Sequence, residues 1–277
     1  MIDVAAALRQ ARAAGVASLD AQLLLAKVLG ATRTGLVTGD HRRLSDQEML
    51  RWSGWIDRRA GGEPLAYLLG EKEFRGLLLA VTPDVLVPRP DTETLVEWAL
   101  DLPVTLAGAE PSVLDLGTGS GAVALAVKHA RPGATVTATD DSPAALAVAC
   151  GNAARLGLAI ECVAGSWWQP LAGRRFDLVL SNPPYIAEGD PHLDALRHEP
   201  EGALTSGVDG LDAIRRIASG AADHLRAGGW LLVEHGFDQA AEVRALLVAT
   251  GLLFVESRRD LSGHERVSGG RLRPEPA

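Results

Sequence analysis

"SVLDLGTGSGAVALAVKHA", residues 112–130, passes from an apolar run, through a short stretch carrying Gly117, Gly119 and Gly121, into an alanine- and valine-rich segment. The first part reads as a buried strand and the last as a helix, because a short apolar run closed by glycine fits a strand and the longer segment is spaced for a helix. The glycines then form the turn between them, where absence of a Cβ lets the chain reverse and brings bare N–H groups close to a ligand. Outward from this unit the pattern repeats. "TVTATD" reads as a strand, "PAALAVACGNAARLG" as a helix, and "AIECVAG" and "FDLVLSN" as strands. "GLDAIRRIASGAADHLRAGG" reads as a helix, "WLLVEHG" as a strand and "QAAEVRALLVATG" as a helix, before "FVESRRD" and "ERVSGGRL" close the chain as strands. Alternating helices and doubly buried strands predict an α/β fold, a doubly wound and mostly parallel sheet with helices on both faces. The last two strands, joined by "LSGH", favour antiparallel pairing.

Upstream the pattern differs. Residues 1–62 read as a helical domain, with Ser45 and Glu48 spaced as a capping box and Gly61-Gly62 as a stop. Trp52 and Trp55 lie three apart on one helical face and read as packing residues. Residues 63–90 read as a β-hairpin linker built from "LAYLLGEKEF", "GLLLAVTP" and "VLVPRP", and residues 91–277 as a ligand-binding domain that opens on the helix "TETLVEWAL".

Composition narrows the class. The chain has 277 residues, 47% of them hydrophobic, which is enough for a substantial core. No uncharged apolar run reaches the roughly 18 residues of a membrane span, and no basic segment followed by an apolar core marks an export signal, so a cytoplasmic location is expected. Cys150 and Cys162 are the only cysteines and read as two separate buried thiols. His192 and His198 have a spacing that suits no pair of ligands on one helical turn, so no metal is expected. A formal net charge of −8 weighs against extended contact with a phosphate backbone.

In an open parallel sheet, ligands bind at the carboxyl ends of the strands near the reversal of strand order. Asp140 ends the strand after the glycine turn, nineteen residues beyond Gly121, where a carboxylate can accept the hydroxyls of a ribose. Gly117-x-Gly119-x-x-Ala122 also satisfies a relaxed dinucleotide fingerprint, so a nicotinamide-dependent enzyme stays open, as do a plain tight turn for the glycines and a surface strand end for Asp140. Asp115 favours a ligand bearing an ammonium group over a pyrophosphate. Asn182-Pro183-Pro184-Tyr185 follows the strand "FDLVLSN" as a rigid corner that neither extends a sheet nor starts a helix. It reads either as a strand terminator or as a binding corner.

Taken together, "DLGTGSG", Asp140 and "SNPPY" resemble S-adenosylmethionine-dependent methyltransferases that act on planar amide or amino nitrogens. "GGEPLAYLLGEKEF", "VLVPRPDTETLVE", "NPPYIAEGDPHL", "HEP" and "LLVEHG" resemble more specifically the protein-(glutamine-N5) methyltransferase family that modifies peptide chain release factors. The resemblance implies a Rossmann-like methyltransferase sheet with S-adenosyl-L-methionine as cofactor and a release factor as partner. It implies that Asp115, Gly117, Thr118, Gly119, Ser120 and Gly121 surround the methionine part of the cofactor, that Asp140 holds the ribose and that Trp167 lies near the adenine. Ser166 stands where that family carries an acidic residue. Asn182, Pro183, Pro184 and Tyr185 would hold the substrate, with Asn182, Pro183 and Tyr185 catalytic and Asn182 also beside the cofactor.

The chemistry suits those residue types. An amide nitrogen is a poor nucleophile because its lone pair is delocalised, so it must be held in line with the S–CH3 bond. Two acceptors, the Asn182 side-chain oxygen and the Pro183 carbonyl, would each take one N–H and leave the lone pair facing the methyl group, with Tyr185 offering a ring face. Arg89 and Glu93 read either as part of the site wall or as a surface pair at a helix start. Adenine N6 is also a planar NH2, so a nucleic-acid methyltransferase is the nearest rival, with a non-catalytic binding module behind it. A reader of specific sequences would need an added basic domain, and this acidic chain offers a helical one, so sequence-specific nucleic-acid binding is not expected.

Overall fold

The computed structural model describes residues 2–38, 42–102 and 110–274. Contacts divide the chain into two units, Met1–Glu71 and Lys72–Ala277. In the first, α1 (Val4–Ala13), α2 (Ser18–Leu29), α3 (Arg33–Thr38), α4 (Asp46–Ala60) and α5 (Leu65–Leu69) follow one another. The capping box forms: Ser45 accepts from the Glu48 backbone N–H, and the Glu48 carboxylate accepts from the Ser45 backbone. Leu24, Leu25, Leu44, Trp52 and Ile56 pack as its core, with Trp55 half-buried against them. Each such side chain contributes ~1.5–3 kcal/mol by leaving water. Helix α5 falls within "LAYLLGEKEF", which was expected to be extended. Pro64 at its N-cap and Gly70 at its C-cap bracket one helical turn, and Ala66, Tyr67 and Leu68 are buried by it.

A hairpin of β1 (Glu71–Phe74) and β2 (Leu77–Ala80) comes next in the chain. "VLVPRP" forms no strand, since Pro88 and Pro90 lack the N–H groups a ladder needs. A 3₁₀ turn at Pro90–Thr92 leads into α6 (Glu93–Asp101). Beyond it come β3 (Ser112–Leu116), α7 (Ala122–Ala130), β4 (Thr135–Asp140), α8 (Pro143–Leu156), β5 (Glu161–Ala164) and β6 (Phe176–Ser181). The remainder is α9 (Asp212–His224), β7 (Leu225–Glu234), α10 (Ala240–Ala249), β8 (Leu253–Arg259) and β9 (Glu265–Arg271).

Among the described residues the sheet has seven strands in the order β5-β4-β3-β6-β7-β9-β8. Pairings from β5 to β7 are parallel, and β9 runs antiparallel to both β7 and β8. Successive side chains alternate between two cores: Val113, Leu178 and Leu180 pack towards α6 and α7, and Leu114, Leu116 and Val179 towards α9 and α10. Strand β7 begins at Leu225, earlier than the helical reading of "HLRAGG" implied. Leu225 is fully buried and in register with Phe176, and that packing overrides local helix propensity.

The cysteines depart from expectation. Cys150 on α8 and Cys162 on β5 are each half-buried and joined as a disulfide, with Cα atoms 6.4 Å apart. Sequence spacing gave no sign of the pair because a helix and the next strand bring the two together. The order of strands reverses between β3 and β6, so the carboxyl ends of those two strands flank the crevice where a ligand belongs.

Candidate active site

The glycine turn leaves the end of β3 and is pinned to its neighbours. Gly117 N and Thr118 N both donate to Thr139 O at 2.9 Å, and Gly119 N donates to Asp140 Oδ2 at 2.9 Å. Asn152 on α8 donates to Ser120 O at 2.9 Å and also bonds both polar groups of the Ala80 backbone. Gly117 has φ +71°, the left-handed conformation that a side chain disfavours. Gly121, at φ +84°, meets the same demand and has a second reason besides. A Cβ there would lie 3.1 Å from Leu125 and 3.3 Å from the Ala149 backbone, so this glycine lets α7 pack closely on α8.

Asp115 is buried beneath the turn. Its Oδ2 accepts from the Thr118 hydroxyl at 2.6 Å and from Ala124 N at 3.1 Å, while Oδ1 finds no partner among the described residues. Burial raises its carboxyl to about 6, with the Thr118 and Ala124 bonds opposing the rise. Asp140 accepts from Gly119 N and, through Oδ1, from Ser142 N at 2.9 Å, so it ties the turn to the start of α8. Burial raises this carboxyl as well.

These groups share a cavity of about 370 Å³, within the usual range for a small-molecule site. Its walls carry Asp115, Gly117, Thr118, Gly119, Ser120, Asp140, Trp167, Asn182 and Pro184, together with residues of two loops, Asp84–Arg89 and Pro200–Ala203. Gly121, Pro183 and Tyr185 do not line it. The charged groups in this lining are Asp84, Asp115, Asp140 and Asp141 against the single cation Arg89. Such a surface suits a ligand with cationic groups and disfavours a pyrophosphate, which weakens the dinucleotide reading. Trp167 adopts φ +49°, and its ring would lie 3.6 Å from a Cβ at Gly117. Trp168 faces away, stacked on His224 and donating to Arg216 O at 3.1 Å.

At the corner after β6, Asn182 Nδ2 donates to Thr92 Oγ1 at 3.1 Å, and Asn182 Oδ1 is buried without a partner among the described residues. An acceptor kept dry and unused is costly unless a ligand supplies the donor. Tyr185, expected to offer a ring face to a flat substrate, is partly buried. The ring packs against the second core and its carbonyl accepts from Gln239 Nε2 at 3.0 Å. Burial and the nearby Glu234 push its phenol up.

Arg89 belongs to the wall, not to a surface pair at a helix start. It pairs with Glu199, which also accepts from Val87 N at 3.1 Å, so these bonds tie together two segments that both contribute to the cavity lining. Glu93 lies on the exterior, 4.0 Å from Arg75. Thr92, Asn152, Glu199 and Glu234 escaped the sequence reading. Glu234, a charge ending the apolar run "WLLVE", carried the clearest signal, since a carboxylate at a buried strand end calls for an explanation.

Comparison with known proteins gives the family. Residues 3–70 match the family described as PrmC N-terminal domain, and residues 95–203 the methyltransferase small domain. The release factor glutamine methyltransferase of Bordetella pertussis is 53% identical, over 93% of this chain and 96% of its own length. That of Burkholderia pseudomallei is 51% identical, over 94% of each chain. Among solved structures, a methyltransferase from Pyrococcus furiosus aligns with a TM-score of 0.55 at 20% identity, over 72% of this chain and 90% of that one. The 16S rRNA N2 G1207 methyltransferase of T. thermophilus, in complex with AdoMet and guanosine, aligns at 0.55 and 22% identity, over 73% of this chain and 50% of that one. At such identities the solved structures speak for the fold alone, a methyltransferase fold, whereas the near full-length relatives speak for descent. This chain belongs to the release factor glutamine methyltransferase family.

Proposed function

We propose that this protein transfers a methyl group from S-adenosyl-L-methionine to the side-chain nitrogen (N5) of the glutamine in the Gly-Gly-Gln motif of peptide chain release factors. The observation that carries the reading is Asn182 Oδ1, a buried and unpartnered acceptor on the wall of an acidic cavity. The cofactor, when bound, supplies an activated methyl group on a sulfonium. Asp115 Oδ1 would take its ammonium group, the Gly117–Gly121 turn would enclose the methionine part, Asp140 would hold the ribose and Trp167 would flank the adenine.

Asn182 Oδ1 and the Pro183 carbonyl would accept the two N–H groups of the glutamine amide. That arrangement turns the nitrogen lone pair towards the methyl group and favours loss of a proton as the C–N bond forms, so no strong base is needed. Pro183 and Pro184 fix the backbone so that the corner keeps its shape without ladder bonds. Tyr185 supports the corner from behind.

The helical N-terminal unit would grip the release factor. Translation termination places the reaction in the cytoplasm, where the Cys150–Cys162 bond would be open to reduction. Among the described residues no helix is long and apolar enough to cross a membrane. The deciding experiment is incubation with labelled S-adenosylmethionine and purified release factor, followed by mass spectrometry of the peptide that contains Gly-Gly-Gln. A single added methyl on that glutamine supports the reading, and an unmodified peptide with label elsewhere contradicts it.

A further inference from the structure

Glu234 ends β7 beside Val267 of β9 and has no exposed surface, and neither of its carboxylate oxygens has an aligned hydrogen-bond partner among the described residues. An unpartnered carboxylate in such a place costs several kcal/mol unless it is neutral or used. The groups that act on its charge come from other elements: the hydroxyl of Thr92, the charges of Arg266 on β9 and Asp91 in the turn before α6, and the hydroxyl of Tyr185. Arg266 is itself engaged, 3.3 Å from Asp260 and 3.4 Å from Asp91.

Thr92 is buried and its Oγ1 already accepts from Asn182 Nδ2. A hydroxyl has one proton to give. With its oxygen engaged by Asn182, that proton is left for Glu234. The direction of this short chain matters because an asparagine amide has two ends. If it were reversed, Asn182 would present an NH2 to the cavity, donor against donor, and the incoming glutamine amide would be repelled.

We propose that Glu234 is a positioning residue for methyl transfer. As a carboxylate it would accept a hydrogen bond from the Thr92 hydroxyl, which obliges Thr92 Oγ1 to accept from Asn182 and turns Asn182 Oδ1 towards the substrate. The inference rests on the glutamine reading given above. The Tyr185 hydroxyl, from the far end of the Asn-Pro-Pro-Tyr corner, also acts on this carboxylate.

Burial raises Glu234 to about 7, against the lowering effects of Thr92, Arg266 and Tyr185 and with Asp91 adding to the rise. Below that pH the protonated carboxyl donates to Thr92, whose own proton is then free for Asn182, and the amide is released to reverse. Turnover at saturating cofactor should therefore fall about tenfold per pH unit on the acid side, with little change in KM for the release factor.

The test uses the full-length enzyme and the variants Glu234→Gln, Glu234→Asp, Thr92→Val and the Glu234→Gln/Thr92→Val pair. Glu234→Gln should lower kcat at least about tenfold and abolish the acid limb, with KM and cofactor Kd within about threefold of wild type. Glu234→Asp should recover part of the loss, and the double variant should be no worse than the poorer single one, because both act on one chain. Full kcat with an intact acid limb in Glu234→Gln, or losses that multiply in the double variant, would overturn the proposal.

A second readout needs neither turnover nor folded variants of Glu234. The side-chain amide of Asn182 in cofactor-free wild-type protein, assigned by its disappearance in Asn182→Ala, should titrate by NMR near neutral pH. An Asn182 signal that ignores pH overturns the chain. Should the wild type methylate no release factor, the functional reading fails, and the NMR titration still decides whether Glu234 orients Asn182.

Discussion

Replacing Arg89 by alanine strands a buried charge. The Glu199 side chain is 3% exposed and that of Arg89 38%, so removing the guanidinium leaves the carboxylate with Val87 N–H as its remaining bond. Breaking a fully buried pair from one side costs about 3–5 kcal/mol, and water reaching the exposed flank of the Arg89 position reduces this to about 2 kcal/mol. For a unit of this size that lowers the midpoint of thermal unfolding by about 4–8 °C. Because the pair links the Asp84–Arg89 loop to the Pro200–Ala203 loop, cofactor binding should weaken in parallel. Calorimetry of the variant, with and without S-adenosylmethionine, measures both quantities. Adding Glu199→Gln to Arg89→Ala should recover most of the lost stability, since a neutral amide strands no charge. A midpoint within about 1 °C of wild type together with unchanged cofactor affinity would refute the reasoning.

Other outcomes follow from the same geometry. Because burial holds Asp115 at about 6, cofactor-free protein should lose this group's contribution to stability as pH rises through about 6, while affinity for the ammonium-bearing cofactor improves over the same window. Titration calorimetry should therefore find binding about tenfold weaker at about pH 5 than at about pH 7.5, and Asp115→Asn should remove that dependence. Asp140→Ala removes the acceptor assigned to the ribose along with the clamp on Gly119 N, and should weaken cofactor binding by about ten- to a hundredfold; an unchanged dissociation constant would end that assignment. Reducing the Cys150–Cys162 bond, which closes a loop of 12 residues, should cost up to about 3 kcal/mol in denaturant unfolding. Turnover should be unaffected, because neither cysteine lines the cavity.

The parallel sheet was legible because its signals are local. Apolar runs closed by glycine, with helical spacing between them, are written within each short segment, and so are the glycine turn and the strand-end Asp140. What escaped depends on partners far apart in the chain. Arg89 and Glu199 are 110 residues apart, Asn182 and Thr92 are 90, and nothing within either neighbourhood announces the other. The packing of the Tyr185 ring on the second core is likewise set by residues distant in sequence. The short helix α5 shows the opposite failure, with a local reading as strand overridden by packing in the first core, where Leu65, Leu68 and Leu69 lie.

The most direct measurement compares wild type with Asn182→Ala for label transfer to intact release factor, with cofactor affinity determined in parallel. Wild type should place one methyl on the glutamine of Gly-Gly-Gln. The variant should lose about a hundredfold or more in kcat while binding S-adenosylmethionine within a few fold of wild type. An Asn182→Ala enzyme that methylates the same glutamine at full rate would contradict the account.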